Sequence, residues 1–150
     1  MTDSYAIEML IADFLRAFDA HDWVGMRNTL ADELKIDYAT PRGGRPVLVP
    51  VNPDSFVRQR RNSLSALTTS HDFEILDLTI QEDAARAKCK FAIKRFKQED
   101  ERHFHSWGEY EFSFAREARR GWRICSIAQM TWRSEGDAKL HAVGAERKIA

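Results

Sequence analysis

The chain has 150 residues, of which 43% are hydrophobic and 11% aromatic, and this composition predicts one packed globular domain. Its 23 basic and 23 acidic residues leave a net charge near zero, which argues against a nucleic-acid surface because such a surface needs a basic excess. Two separated cysteines without a CxxC pair, no signal-peptide pattern and no long apolar run predict a reduced cytoplasmic protein that does not bind membranes.

Three helices are predicted in the first half of the chain. The first rests on apolar residues that recur at helical spacing, and the other two rest on polar capping residues that precede helix-forming segments. Their predicted bounds are residues 4–20 with Asp3 or Ser4 as cap, a short helix that begins at Asp22, and a helix that runs from a cap at Asp54 to about Ala66.

Strands dominate the second half, where apolar and polar residues alternate with a period of two. An order of helices first and a strand meander afterwards predicts an α+β fold whose helices pack on one face of a sheet. We expect a single domain over residues 1–135 and a tail over 136–150 that is a loosely held helix or disordered. The predicted strands are 34–38, a short edge strand at 47–49, and then 72–80, 85–97, 103–116 and 122–133.

Common catalytic motifs are absent: the sequence contains no GxSxG, GxGxxG, P-loop or HExxH pattern. His103 and His105 share one face of a predicted strand and could bind a metal, but the sequence places no third ligand beside them. We therefore expect no metal and no organic cofactor. The basic run from Arg58 to Arg61 is interpreted as a solvated helix face.

Three charged or titratable residues are candidates for chemistry. Asp19 ends an apolar helix stripe, so its carboxylate needs either a polar partner or contact with water. His71 lies near the start of a predicted strand. Arg95 shares a strand face with Phe91 and Ile93, where it either receives an enolate, phenolate or carboxylate or reaches out to solvent.

An ordered series of short segments resembles the scytalone dehydratases, which belong to the nuclear-transport-factor-2-like (SnoaL-like) superfamily. The resemblance covers about residues 5–135 and implies a cone in which a curved antiparallel sheet wraps around the helices and encloses an apolar pocket. The segments are Phe18-Asp19-Ala20-His21-Asp22-Trp23, Lys35-Ile36-Asp37-Tyr38, Thr69-Ser70-His71, His103-Phe104-His105-Ser106 and Gly121-Trp122-Arg123-Ile124.

The resemblance also implies a catalytic pair. The family's helix-end aspartate matches Asp19, and the histidine that it orients matches His71. The same pairing occurs in the related hexachlorocyclohexane dehydrochlorinase, so it fits elimination chemistry in general. Tyr38 matches a tyrosine that polarises the substrate carbonyl.

The remaining family positions imply a substrate-binding set. Ser106 matches a pocket serine, Phe18 stands where the family has a second tyrosine, Arg95 falls near a second histidine, and Gly108 replaces an asparagine. These four residues are expected to bind the substrate, with Arg95 as a stabiliser of an oxyanion.

The leading functional hypothesis is a cofactor-independent dehydratase, lyase or isomerase that acts on a small hydrophobic, cyclic or polyketide-like substrate. The alternative is a non-catalytic binding or assembly domain of the same fold. An epoxide hydrolase would need an Asp–Arg–Asp set, which the sequence does not supply convincingly.

Self-association is expected from strand alternation, with a homotrimer favoured over a dimer. Ser106, Gly108, Tyr110 and Phe112 would face the pocket. The opposite face carries Trp107, near Cys125 and Ile127, and would be covered by a partner chain because the helices cover only one face. The residues expected on that opposite face of the strand are His103, His105, Trp107 and Glu109.

Overall fold

A computed structural model describes residues 1–97, 99 and 101–140, and it confirms the predicted α+β class and cone-type fold. Three helices pack against a six-stranded, curved and unclosed sheet. The elements are α1 (Asp3–Ala20), α2 (Trp23–Thr29), β1 (Leu30–Thr40), β2 (Val49–Val51), α3 (Pro53–Leu64), β3 (Thr68–Gln81), β4 (Ala84–Lys97), β5 (Arg102–Glu117) and β6 (Gly121–Gly136). Among the described helices, none combines the length and the apolar character needed to cross a membrane.

Helix α1 begins one residue earlier than the sequence suggested. Thr2 has an extended backbone, and its side chain accepts a hydrogen bond from the amide of Tyr5. The predicted caps Asp3 and Ser4 are wrong because both residues already lie inside the helix. The prediction that the second helix starts at Asp22 is confirmed, since the Asp22 side chain caps α2.

Helix α3 is capped by Asn52, so the predicted cap at Asp54 is wrong by two residues. The Asn52 side chain accepts from a first-turn amide, and Pro53 occupies the first helical position, where the lack of an N–H is tolerated. The helix ends at Leu64, two residues before the predicted end at Ala66.

The sheet has the strand order β2-β1-β6-β5-β4-β3. The four strands of the second half form the expected antiparallel meander, and β1 joins it parallel to β6. Strand β2 lies at Val49–Val51 rather than at 47–49, because Leu34 of β1 pairs with Val51. The meander strands extend beyond most of their predicted ends, which gives the sheet enough length to curve around the helices.

The core lies between the helices and the concave face of the sheet. Phe14 of α1 packs its ring edge-on against Phe18 and Phe112, with centroids 5.2 and 6.0 Å apart. Each buried aromatic or aliphatic side chain of this kind contributes on the order of 2 kcal/mol to stability. The largest fully buried side chains are Tyr110, Phe14, Phe56, Phe91, Phe112, Phe114, Ile7, Ile11, Leu15, Met26, Leu30 and Leu34.

The expectation that Ile127 lies near Trp107 on the outer face is wrong. Ile127 is fully buried in the core, where it pairs with Phe112. The register between β5 and β6 shifts by one residue beside Ser113, and this bulge leaves Cys125 half-buried without a cross-strand partner. The Trp107 ring itself is half-buried and lies under the Arg133 guanidinium, 4.1 Å from its Cζ.

The C-terminal end of the described chain remains attached to the domain. Strand β6 continues to Gly136, one residue past the predicted boundary at 135, and Leu140 packs in a small cluster with Leu67 and Phe104. The predicted tail over 136–150 is therefore structured at its start. Residues 141–150 lie outside the described residues, and the domain limits stay a prediction.

Gly108 is required by close packing between strands. A Cβ atom at this position would lie 2.0 Å from the Met130 carbonyl oxygen and 2.9 Å from Cζ of Phe91. The β5–β6 register also shifts between Trp107 and Gly108. The glycine thus allows the β6 backbone to approach the concave face of the sheet.

We predict that Gly108→Ala destabilises the protein by about 1–3 kcal/mol, as overpacking of a filled core usually does. Urea unfolding followed by circular dichroism measures this change. Ser113→Ala is the matched control, because it alters a small side chain on the opposite face of the same strand. Equal stability of the Gly108→Ala variant and the wild type would contradict this packing.

Candidate active site

The Asp19 carboxylate joins the end of α1 to the start of β3. Its Oδ1 accepts a hydrogen bond from the Thr69 hydroxyl at 2.8 Å, and its Oδ2 accepts one from the backbone amide of His71 at 2.9 Å. The Nδ1 atom of His71 lies 2.6 Å from Oδ1. These contacts satisfy the carboxylate that the sequence left on an apolar helix stripe.

Local structure explains why this carboxylate faces the strand. Helix α1 ends at His21, whose left-handed backbone, with φ of 54°, bonds back to the carbonyls of Ala17 and Phe18. The imidazole of His21 also bonds to the Leu67 carbonyl at 3.1 Å, immediately before β3 begins. The helix end and the strand start are thus held together at two points, with Asp19 between them.

The imidazole of His71 is positioned from both sides. Its side chain is 5% exposed, and its ring lies 4.7 Å from the ring of Phe18 at a tilt of 32°. A carboxylate beside Nδ1 favours the tautomer that carries its proton there, which leaves Nε2 as an acceptor. Within the described chain, no residue forms a hydrogen bond with Nε2.

Tyr38 of β1 brings a buried hydroxyl to the same side of the sheet. Its ring lies 5.8 Å from that of Phe56 on α3. Burial raises the pKa of the Tyr38 hydroxyl, and the adjacent Arg60 guanidinium acts in the opposite direction. Since the pKa is raised, Tyr38 stays protonated at neutral pH and can donate a hydrogen bond.

Arg60 is a residue that the sequence analysis missed, and the interpretation of its basic run as a solvated face is wrong at this position. Arg60 is 9% exposed, whereas Arg58 and Arg61 are exposed. Arg60 follows the buried Val57 by three residues and Phe56 by four, which places all three on one face of the helix. This spacing was the signal in the sequence that Arg60 is buried. The neighbouring Arg58 and Arg61, which are exposed, obscured it.

Tyr110 stands among these groups. Its side chain is buried, and burial raises the pKa of its hydroxyl well above the ordinary value. Tyr38 and Asp19 also raise this pKa, whereas the guanidiniums of Arg95 and Arg60 lower it. Strand alternation placed Tyr110 on the pocket face, although no role was assigned to it. It shows that the proposed site residues share one interior region.

Arg95 lies on the concave face and is only 6% exposed, so it does not reach out to solvent. Its Nη1 donates to the Ser106 hydroxyl at 3.0 Å and lies 3.5 Å from the Phe104 carbonyl. Burial lowers the pKa of the guanidinium, and the Tyr110 hydroxyl acts in the opposite direction. Ser106 thereby orients a buried cation.

Two of the other expected site residues have packing roles. Phe18 is 4% exposed and forms the apolar wall behind His71. Gly108 provides the space for the β6 backbone described above. Gln129 was not anticipated, but it is buried opposite Tyr110 on β6.

The histidine pair lies away from this interior site. The rings of His103 and His105 are 4.8 Å apart on the outer face, and Nε2 of His103 lies 3.9 Å from a Glu135 carboxylate oxygen. Over the part of the chain that the structure describes, no group of three or more histidine, cysteine, aspartate or glutamate side chains is placed to hold a metal ion.

Comparison with known families gives a match over most of the chain. The model of the SnoaL-like domain matches residues 1–128. No curated protein matches. The family model therefore covers every element from α1 to the middle of β6.

Solved structures share the fold at low sequence identity. The Kfla4162 protein from Kribbella flavida superposes with a TM-score of 0.82 at 23% identity, covering 93% of this chain and 97% of its own. A protein provisionally named a scytalone dehydratase, from Novosphingobium aromaticivorans, has a TM-score of 0.76 at 13% identity and coverages of 90% and 87%. A hexachlorocyclohexane dehydrochlorinase of type 3 from Novosphingobium barchaimii gives 0.69 at 14% identity, with 90% of each chain covered.

We predict that neutral His71 carries its proton on Nδ1 and leaves Nε2 unprotonated, because Asp19 accepts the Nδ1 proton. Nitrogen-15 NMR of the imidazole rings, recorded well above the ordinary histidine pKa, distinguishes the two tautomers. Asp19→Ala should remove this preference, while the exposed ring of His103 serves as the internal control. An Nε2-protonated His71 in the wild type would contradict the arrangement.

Proposed function

The chain belongs to the SnoaL-like family, and we propose that it is a cofactor-independent lyase or isomerase of the cytoplasm that acts on a small cyclic, polyketide-like compound. The observation that carries this proposal is the 2.6 Å contact between Asp19 and Nδ1 of a His71 side chain that is 5% exposed. Such a pair orients a general base within an apolar interior. The structural neighbours named as a dehydratase and a dehydrochlorinase fit the same class of chemistry.

The first step is proton abstraction from a carbon next to a carbonyl group. The Nε2 atom of His71 takes the proton, and the electrons of the C–H bond move to form an enolate. The resulting imidazolium is stabilised by the Asp19 carboxylate, which keeps its hydrogen bond to Nδ1. The backbone amide of His71 and the Thr69 hydroxyl hold Asp19 during this change.

The enolate oxygen needs donors in the interior. Arg95 is buried, and although burial lowers its pKa, an arginine guanidinium keeps its charge in proteins. Tyr38 stays protonated and can donate as well. Donors of this kind stabilise charge as it develops, which is commonly the largest contribution to such catalysis.

Two outcomes follow from the enolate. In a dehydratase, its electrons form a carbon–carbon double bond and expel a hydroxyl group from the neighbouring carbon, which takes the proton of the His71 imidazolium and leaves as water. In an isomerase, the same proton returns to a different carbon. Both reactions balance in atoms and electrons, so neither needs a further reactant.

We predict that the protein accelerates exchange of the α-protons of bicyclic ketones such as 2-tetralone with deuterated water. His71→Gln should lower the enzyme-dependent exchange rate by about 10²–10⁴-fold, the usual contribution of a positioned base. Proton NMR follows the exchange. His103→Gln is the control, because this histidine is exposed on the outer face.

If the wild type exchanges protons no faster than His71→Gln for a whole panel of cyclic ketones, the proposal that the protein is an enzyme is contradicted. That result would favour the alternative, a non-catalytic binding or assembly domain.

An exposed apolar segment supports a role in assembly. Val47, Leu48 and Val49 are 74%, 39% and 50% exposed. Leu48 borders a surface depression that also includes Leu34, Pro50, Val51, Ala115 and Cys125.

We further propose that the exposed surface around Val47, Leu48 and Val49 contacts copies of the same chain, in a homotrimer or else a dimer. Exposed apolar surface of this kind is commonly covered by a partner, and rotational symmetry closes the assembly. The predicted result is a mass of three, or else two, times 17.3 kDa by light scattering at micromolar concentration. Val47→Glu and Val49→Glu should lower the mass, and a wild-type mass of one chain would contradict this part.

A further inference from the structure

Arg60 lies on the buried stripe of α3, together with Pro53, Phe56 and Val57. It is 9% exposed, which is unusual for arginine because a buried guanidinium loses its hydration. A long side chain at this position could have reached solvent, as Arg58 and Arg61 do on the same helix. The Arg60 side chain instead turns towards the interior that holds Tyr38 and Tyr110.

The Arg60 guanidinium lies against two aromatic rings of the interior. Its Cζ atom lies 4.6 Å from the ring centroid of Tyr38 and 4.3 Å from that of Phe56. Its Nη2 atom is buried and has no hydrogen-bond partner among the described residues.

The charges of the interior do not balance within the described part of the chain. No carboxylate there lies within ion-pair distance of Arg60 or Arg95. The one nearby carboxylate, that of Asp19, is already bonded to Thr69 and His71. A buried cation with an unpartnered donor is costly, and an anion brought by a ligand would remove that cost.

We propose that Arg60 binds a carboxylate group of the ligand, so that the substrate class is a cyclic or aromatic carboxylic acid. This inference rests on the proposed function for the location of the ligand in the interior. The planar edge of a guanidinium matches a carboxylate through two parallel hydrogen bonds. Arg95 keeps its separate task, because its Nη1 is bonded to Ser106 and oriented by it.

A matched pair of probes tests this assignment. 2-Naphthoate and 2-naphthamide have the same ring and nearly the same shape, but only the first is an anion. Isothermal titration calorimetry at neutral pH should give a Kd for naphthoate about 10-fold or more below that for naphthamide, as a hydrogen bond to a charged group implies.

Substitutions then assign the difference to Arg60. Arg60→Gln should weaken naphthoate binding by about 10-fold or more and leave naphthamide binding nearly unchanged. Arg58→Gln removes an equal charge from the exposed face of the same helix and should bind both probes as the wild type does. Arg60→Met covers the case in which Arg60→Gln fails to fold, because it keeps an unbranched side chain of similar length. Without ligand, its melting temperature should equal or exceed that of the wild type.

Several results would overturn the inference. They are equal Kd values for the two probes in the wild type, no naphthoate binding at millimolar concentration, unchanged naphthoate binding in Arg60→Gln, or a lowered melting temperature of Arg60→Met. The His71→Gln variant separates this inference from the proposed function. It should still bind naphthoate, because the carboxylate site does not depend on the base. In the wild type, absent proton exchange together with intact naphthoate binding would contradict only the catalytic role.

Discussion

The Asp19 carboxylate is the constraint on which the interior depends. A carboxylate at the end of an apolar helix stripe needs hydrogen bonds from the protein or from water, and its donors among the described residues are Thr69 and His71 at the start of β3. The same bonds set the rotation of α1 against the sheet. They also orient the His71 ring, so structural stability and the position of the proposed base have one origin.

The sheet register arranges the remaining polar groups around this point. Thr69 is directly opposite Arg95, and His71 is opposite Ile93, so alternate residues of β3 and β4 face the same interior. Ser106 belongs to β5, the other neighbour of β4, where it pairs with Ile93. Its hydroxyl accepts a hydrogen bond from Arg95, two residues further along β4. Two hydroxyls, an imidazole and a guanidinium are thus brought together by ordinary antiparallel pairing, and the end of α1 adds the carboxylate.

Electrostatics sets this interior apart from an ordinary core. Two guanidiniums, Arg60 and Arg95, face it, while the carboxylate of Asp19 is engaged with its own partners. Burial raises the pKa of both Tyr38 and Tyr110, which keeps them neutral and able to donate. The region is therefore rich in donors and positive charge and is lined by aromatic rings, a combination suited to a flat anionic molecule or an enolate.

By itself, the sequence determined the elements and their faces, because apolar spacing is a local property that survives in the folded chain. It placed Tyr110, Arg95 and Ser106 on the concave face in this way, and the pairing of Asp19 with His71 came only from the resemblance to a family. Tertiary structure alone decided that Ile127 is buried, since a bulge in β6 shifts its register. It also decided the burial of Arg60. The aromatic partner of Arg60, Tyr38, lies on β1, and the charged residues around Arg60 in the sequence of α3 do not indicate this contact.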